Sequence, residues 1–406
     1  MTPVPLNPRL SALGGYPFPR LNALLADLQP PPDLEPIVLS IGEPRHAPPP
    51  WAAARLAEAP GWGRYPPAPG EPSLRQAIHR WLLRRHGAAA TLVDAETGIV
   101  PVSGTREALF MVAQAVLDPA AERRRAVLMP NPFYQVYHGA AVLNGGRAVP
   151  LPGAPGRPGI PDFSALSDSL LAETALVYLC SPSNPEGSVA DQPTWIDLIT
   201  LARRHGFAVI ADECYSEIHY TEAPPAGALT ACHALGQGLD NVLLFNSLSK
   251  RSSLPGLRSG FVAGDSRLVG ALTAIRNYAM AGVPLPIQAL SADLWDDEDH
   301  VAESRALYRT KLDRAEALLA GRFGYRRPEG GIFLWLKVGD GEAAARKLWR
   351  EAAVKVLPGA YITRPEADGS NPGAPYIRLA LVAEPAATEQ AIERLIATLD
   401  EGADAR

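Results

Sequence analysis

Cysteine is scarce in this 406-residue chain: Cys180, Cys214 and Cys232 are the only three. They form no CxxC pair and no metal-ligand spacing, so neither a disulfide framework nor a structural zinc site is expected. Cys180 and Cys214 sit beside apolar runs, where a buried thiol acts as a small hydrophobe. No run of 18 apolar residues occurs, which argues against a membrane helix. The opening MTPVPLNPRLSALGGYPFPR lacks a basic start followed by an apolar core, so no secretory signal is expected. Excess positive charge is missing too. The net charge is −5, and the Arg123–Arg125 run is only three residues long, so no nucleic-acid or lipid-surface partner is expected. Neither a GxSxG elbow nor an HExxH helix is present, and the eight histidines are scattered, which disfavours serine and zinc hydrolases. A cytoplasmic protein without a metal is the resulting expectation.

What the chain does have is proline, 41 residues, and glycine, 35, which cut it into short elements. Apolar strands are expected at 99–102, 126–129, 147–151, 175–180, 207–211, 242–246 and 258–263. Between them lie helical stripes such as 72–86, 105–117, 133–144 and 194–205. Short apolar strands separated by helices predict an α/β fold: a three-layer α/β/α large domain with a mostly parallel sheet. From residue 266 the pattern turns helical, with one long helical stretch at 286–320 where a kink is expected, then an α+β unit ending in a helix at 387–399. The expected division is a large domain over 46–285, and a smaller domain formed by the arm 1–45 with 286–406. The arm is read as irregular, with a short helix at 21–28 and a strand at 37–41.

Lysine is also rare. Lys250, Lys311, Lys337, Lys347 and Lys355 are the only ones, and the last four fall in patterns where a solvated head is the ordinary expectation. Lys250 stands alone in LLFNSLSKRSSLPGLRSG, after an apolar strand, where small hydroxylated neighbours suit a tight ligand-holding loop. Such an amine can form an imine if it is desolvated enough to lose its proton. By itself it could equally be a surface charge. Asp212 ends FAVIADECY, at the carboxyl end of a strand, where open parallel sheets collect ligands; a helix-capping aspartate is the plain alternative. Tyr215, three residues on, is either a site hydroxyl or a packed core tyrosine. SGTREAL sets Ser103, Gly104 and Thr105 before an apolar-striped helix, an anion seat or an ordinary N-cap. Ser247, Ser249 and Arg258 are candidates to complete that seat. Arg378 lies in the apolar strand PYIRLALV, where its charge needs either an interior salt bridge or a ligand carboxylate.

With SPSNPEG, ADECYSEI, SLSKRSSLPGLRSG and PYIRLALV in this order, the chain resembles the class I/II aminotransferases, the fold-type I pyridoxal-phosphate enzymes, from about residue 39 to 399. The resemblance implies pyridoxal 5'-phosphate as cofactor, with Lys250 as its Schiff-base lysine and Asp212 as partner of its ring nitrogen. Tyr215 and Asn184 would bond the cofactor's phenolic oxygen, and Tyr134 would lie over its ring. Gly104, Thr105, Arg106, Ser247, Ser249 and Arg258 would surround the cofactor, mostly at its phosphate. Arg378, Asn184 and the backbone near Gly42 would bind the substrate carboxylate. Tyr65 resembles the residue that reaches a neighbouring subunit's phosphate, which implies a homodimer with shared active sites. Glu186, where the family commonly has threonine, is expected at a turn away from the cofactor.

A narrower likeness, carried by NPRLSALGGYPFPRLNALL, LSIGEPRH, PNPFYQVYHGAA and RPEADGSNPGAPYIRLALV, is to the succinyldiaminopimelate transaminases. These exchange an amino group between glutamate and N-succinyl-2-amino-6-oxopimelate in lysine biosynthesis. A substrate of that kind needs a second cationic contact, for which Arg20, Arg45 and Arg364 are candidates, each equally readable as a surface arginine. The rivals are a general aspartate, alanine or aromatic aminotransferase, a β-lyase on the same scaffold, and a catalytically silent regulator. The last would be free to lose Lys250 or Asp212, and both are present.

Overall fold

The computed structural model describes residues 3–366 and 368–400. The large sheet has eight strands: β1 (Ile99–Val102), β2 (Ala126–Asn131), β3 (Arg147–Ala154), β4 (Arg157–Pro161), β5 (Thr174–Cys180), β6 (Ala208–Asp212), β7 (Val242–Ser247) and β8 (Gly260–Gly264). Their spatial order is β1-β8-β7-β6-β5-β2-β3-β4. The run from β7 to β3 is parallel, whereas β8 pairs antiparallel with both β1 and β7, and β4 antiparallel with β3. Every residue of β2, β5, β6 and β7 is buried, because helices cover both faces.

The principal helices are α1 (Pro17–Leu24), α2 (Pro72–His86), α3 (Thr105–Val116), α4 (Gln135–Leu143), α5 (Gln192–His205), α6 (Leu248–Arg251), α7 (Ser266–Ala279), α8 (Leu285–Asp296), α9 (Asp299–Leu319), α10 (Gly341–Ala352) and α11 (Pro385–Leu399). One face of the large sheet packs Trp81 of α2, Trp195 of α5 and Trp295 of α8. The other packs Leu109 of α3, Tyr137 of α4 and Leu272 of α7. A separate core joins Leu312 of α9, Leu348 of α10 and Leu395 of α11 to a three-stranded antiparallel sheet. That sheet is β9 (Phe333–Lys337), β10 (Leu357–Pro358) and β11 (Tyr376–Ala380), in order β9-β11-β10. The expected α/β large layer and smaller α+β unit are therefore both present. Residues 1–2, 367 and 401–406 of the expected small-domain range lie outside the described residues.

Several local expectations need correction. The arm helix begins at Pro17, not residue 21, since a proline at the first helical position has no N–H to leave unpaired. Only Ile37–Val38 of the expected arm strand pairs, in parallel with Val354–Lys355. The long helix is two, α8 and α9: Arg251 donates to the Leu294 and Asp297 carbonyls across the break. Helix α8 sends Leu290, Leu294 and Trp295 into the large-sheet core. The proline-rich LPGAPGRPGIP carries strand β4, and an edge strand can accept proline because half its amides need no partner. Lys311, expected to be solvated, is fully buried in α9 and donates to the Leu381 carbonyl at 3.0 Å.

Candidate active site

Three parallel strands end side by side, with Cys180 of β5 paired to Asp212 of β6, and Asp212 to Phe245 of β7. Their carboxyl ends open into a cavity of about 510 Å³ between the large sheet and the smaller unit. Asp212, Tyr215, Asn184, Lys250, Arg378 and Gly42 all line it. So do Thr105, Arg106, Tyr134, Ser247, Ser249 and Arg258. Gly104 lies directly behind, against Arg258. Tyr65 is elsewhere: it is 99% exposed and borders a basin with Trp62 and Met280.

Lys250 sits on a helical turn rather than on the tight loop expected. After β7 the chain makes a single helical turn, α6, in which Ser247 Oγ accepts from the Ser249 amide at 3.1 Å. The small hydroxylated residues read as loop formers are thus a cap for that turn. Lys250 Nζ donates to the Gly42 carbonyl and sits 5.6 Å from the centre of the Tyr215 ring. Burial pushes its pKa down to about 8, with Arg378 and Arg106 adding repulsion and Cys214 and Glu43 opposing. About a tenth of the amine is therefore uncharged at pH 7, far more than for an ordinary lysine.

Asp212 is no helix cap, since a turn, not a helix, follows it. It is 5% exposed, and burial raises its pKa. Opposing that, Oδ2 accepts from the Tyr137 hydroxyl at 2.6 Å, Oδ1 accepts from the Cys214 amide at 3.3 Å, and Lys250 adds a nearby positive charge.

At the other end of the cavity α3 starts at Thr105, so its first-turn amides are unpaired within the helix. Gly104 has φ +89°, and a Cβ there would fall 2.2 Å from Arg258 Nη2, so only glycine leaves room for that guanidinium. Arg258 donates to the Pro255 carbonyl at 2.9 Å and the Ser103 carbonyl at 3.4 Å, both neutral acceptors. Arg106 Nε donates to the Tyr134 hydroxyl at 2.8 Å.

Arg378 is 5% exposed, and among the described residues it forms no interior salt bridge. Its donors reach Asn184 Oδ1 at 3.1 Å and the Ser40 carbonyl at 2.9 Å, its Nε has no partner, and its guanidinium lies 4.4 Å from the Phe333 ring centre. Burial lowers its pKa to about 10. A buried cation with only neutral partners calls for an anion.

Arg20, Arg45 and Arg364 do not converge here. Arg20 stacks on Tyr361 at 3.9 Å, Arg364 donates to the Leu13 carbonyl, and Arg45 is exposed. Glu186 occupies a turn beside Ser183, away from the cavity. The sequence reading missed Tyr137, whose spacing from Tyr134 looks like any helix stripe. It also missed Tyr16 and Phe18, which line the cavity from the start of α1. Among the described residues no group of acidic, histidine or cysteine side chains could hold a metal ion, and no helix is long and apolar enough to cross a membrane.

Pyridoxal phosphate presents an aldehyde, a dianionic phosphate and a basic ring nitrogen. The cavity offers a partly neutral amine at Lys250, free helix amides with an arginine lacking an acidic partner at Thr105 and Arg258, and a buried carboxylate at Asp212. The residues fit the group.

Comparison with known proteins agrees. In sequence the chain is 32% identical to a 4-dedimethylamino-4-oxo-anhydrotetracycline transaminase of Streptomyces rimosus, over 85% of this chain and 89% of that protein. It is 29% identical to an LL-diaminopimelate aminotransferase of Dehalococcoides mccartyi, over 96% and 98%. In structure it resembles an aminotransferase from Neisseria meningitidis, with a TM-score of 0.90 and 41% identity, covering 97% of this chain and 100% of that one. Residues 35–398 match the family "Aminotransferase class I and II". The chain belongs to that family and is a pyridoxal-phosphate-dependent aminotransferase of fold type I.

Proposed function

We propose that this enzyme moves an amino group between glutamate and N-succinyl-2-amino-6-oxopimelate in the cytoplasm, as a step towards lysine. The observation that carries the reading is Arg378, a buried cation without a carboxylate partner, lining the same cavity as an amine whose pKa is about 8. Arg378 grips the α-carboxylate of either substrate with its forked donors while Asn184 holds the guanidinium in place. Lys250 would take the proton from the substrate Cα and give it back, work suited to an amine titrating near 8. Asp212 keeps the ring nitrogen protonated, and Tyr134 and Tyr215 confine the ring. Thr105, Ser247, Ser249 and Arg258, with the Gly104 turn, hold the phosphate. When bound, the cofactor supplies an electron-accepting ring conjugated to the Cα.

Arg106 replaces Arg20, Arg45 and Arg364 as the second cation for a distal carboxylate. It lines the cavity, and its one hydrogen bond, from Nε to Tyr134, leaves its terminal nitrogens to bind. A homodimer with Tyr65 serving the neighbouring site is supported by the exposure of Trp62 at 70%, Tyr65 at 99% and Tyr278 at 94%, large aromatic rings that a second copy would cover. The likeness to an LL-diaminopimelate aminotransferase favours one alternative, an acceptor without the succinyl group.

The test is steady-state transamination with glutamate as donor against the succinylated oxo acid, the LL-diaminopimelate couple, oxaloacetate, pyruvate and phenylpyruvate, with ammonia release scored for elimination. The reading expects the succinylated acid to have the highest kcat/KM; preference for any other acceptor overturns the substrate, and ammonia with pyruvate overturns the reaction.

A further inference from the structure

We infer that Tyr137 is a positioning residue for Asp212, its hydroxyl holding the carboxylate at Oδ2 and keeping it charged. The inference rests on the proposed role of Asp212 as partner of the ring nitrogen and deepens it.

A carboxylate at 5% exposure loses most of its hydration, and burial alone drives it towards the neutral acid. A neutral acid could not hold a proton on a ring nitrogen. The thiols of Cys180, its register partner on β5, and Cys214 face it without offering positive charge, though the Cys214 amide and side chain both hydrogen-bond the carboxylate and favour its ionisation. Tyr134, a weak acid, faces it from the start of α4, and Lys250 supplies a nearby positive charge, from α6. Lys250 is a changing charge, because its amine must be uncharged to join the cofactor. A permanent stabiliser is needed, and the 2.6 Å bond from Tyr137 is one.

The local packing aims that hydroxyl. Tyr137 is fully buried and lies flat against Tyr178, ring centres 4.4 Å apart and planes within 8°, while Tyr134 meets its edge at 5.7 Å. Tyr178 is itself tied down, its hydroxyl donating to the Leu109 carbonyl of α3 at 2.6 Å. With its own proton bound to Asp212 and its ionisation suppressed by burial, Tyr137 can act only as a donor.

The test is Tyr137→Phe in the cofactor-loaded enzyme, which deletes one oxygen and keeps the stacked ring. A less firmly protonated ring opposes protonation of the Lys250 linkage less, so the pH midpoint of the visible band should move up, and kcat should fall about tenfold to a hundredfold with KM little changed. Incorporating 3-fluorotyrosine at position 137, a stronger donor with nearly the same shape, should move the midpoint down. Tyr178→Phe, which loses a bond of the same length elsewhere, should leave the midpoint alone. In an Asp212→Asn background Tyr137→Phe should add nothing further, because the two act through one group. If Asp212→Asn itself changes neither midpoint nor kcat, the role given to Asp212 has failed. If Asp212→Asn is impaired and both Tyr137 substitutions leave the midpoint in place, or if the losses add, the role of Tyr137 is overturned. Should Tyr137→Phe not fold, the fluorotyrosine shift alone decides.

Discussion

Two lysines in this enzyme are withdrawn from water and have their pKa pushed down to about 8, Lys250 and Lys311, and they are built differently. Lys250 reaches into a cavity beside Asp212, Tyr215 and Arg378. Lys311 is sealed in the second core, donating to the Leu381 carbonyl and paired at 2.7 Å with His46 Nε2. Burial and the charge on Lys311 hold that histidine down to about 4, so it is neutral and free to accept. A perturbed pKa is thus shared by a chemical amine and a structural one. What separates them is room for a reactant and an arrangement of groups shaped for one.

The comparison breaks most easily at the amine. Lys250→Ala should lower turnover by about 10⁴-fold and abolish the visible band of the loaded enzyme, whereas Lys311→Met should keep both within a few fold. Steady-state rates and spectra of the two variants settle it, and equal losses would erase the distinction. Next comes Arg378→Ala, which removes the buried cation that only neutral groups satisfy. Its kcat/KM should fall by the equivalent of roughly 2–5 kcal/mol for every α-amino acid tested, since all carry the same carboxylate. Arg106→Ala should be selective, costing about tenfold to a hundredfold with dicarboxylic or succinylated acceptors and little with pyruvate. A uniform loss across acceptors would show that Arg106 serves the cofactor instead.

The smaller effects concern pH. The uncharged amine is what reacts, so the rate at which apoprotein binds pyridoxal phosphate should climb with pH up to about 8 and level above it; a climb continuing to pH 10 would mean Lys250 is not desolvated. Lys311 acts on stability with its own sign. Its folded pKa lies below that of the unfolded chain, so between about pH 8 and 10.5 the unfolded state binds more protons, and stability should rise with pH through that window. Thermal melts in a Lys250→Ala background should show the rise, and Lys311→Met should flatten it.

Lys250 and Asp212 were visible from residue types because each follows an apolar run ending at the sheet's carboxyl edge, a relation that lies along the chain. The missed groups depend on relations across it. Tyr137 is 75 residues from Asp212, and nothing in a helix stripe says which aromatic hydroxyl will meet a carboxylate. Lys311 sits at a position whose pattern is that of a solvated helix face, and only the approach of His46 and Leu381 encloses it. The break between α8 and α9 likewise depends on Arg251, more than 40 residues earlier.

From the order of its residues alone this chain already specified alternating strands and helices, a lone central lysine, an acidic residue 38 positions before it, and a glycine ahead of an N-terminal helix turn. Periodicity and backbone preference are short-range properties, readable within a dozen residues. Which amine is left facing a cavity, which arginine lacks an acid, and which tyrosine steadies a carboxylate were decided only when distant segments packed together. Desolvation and charge pairing depend on the neighbours in space.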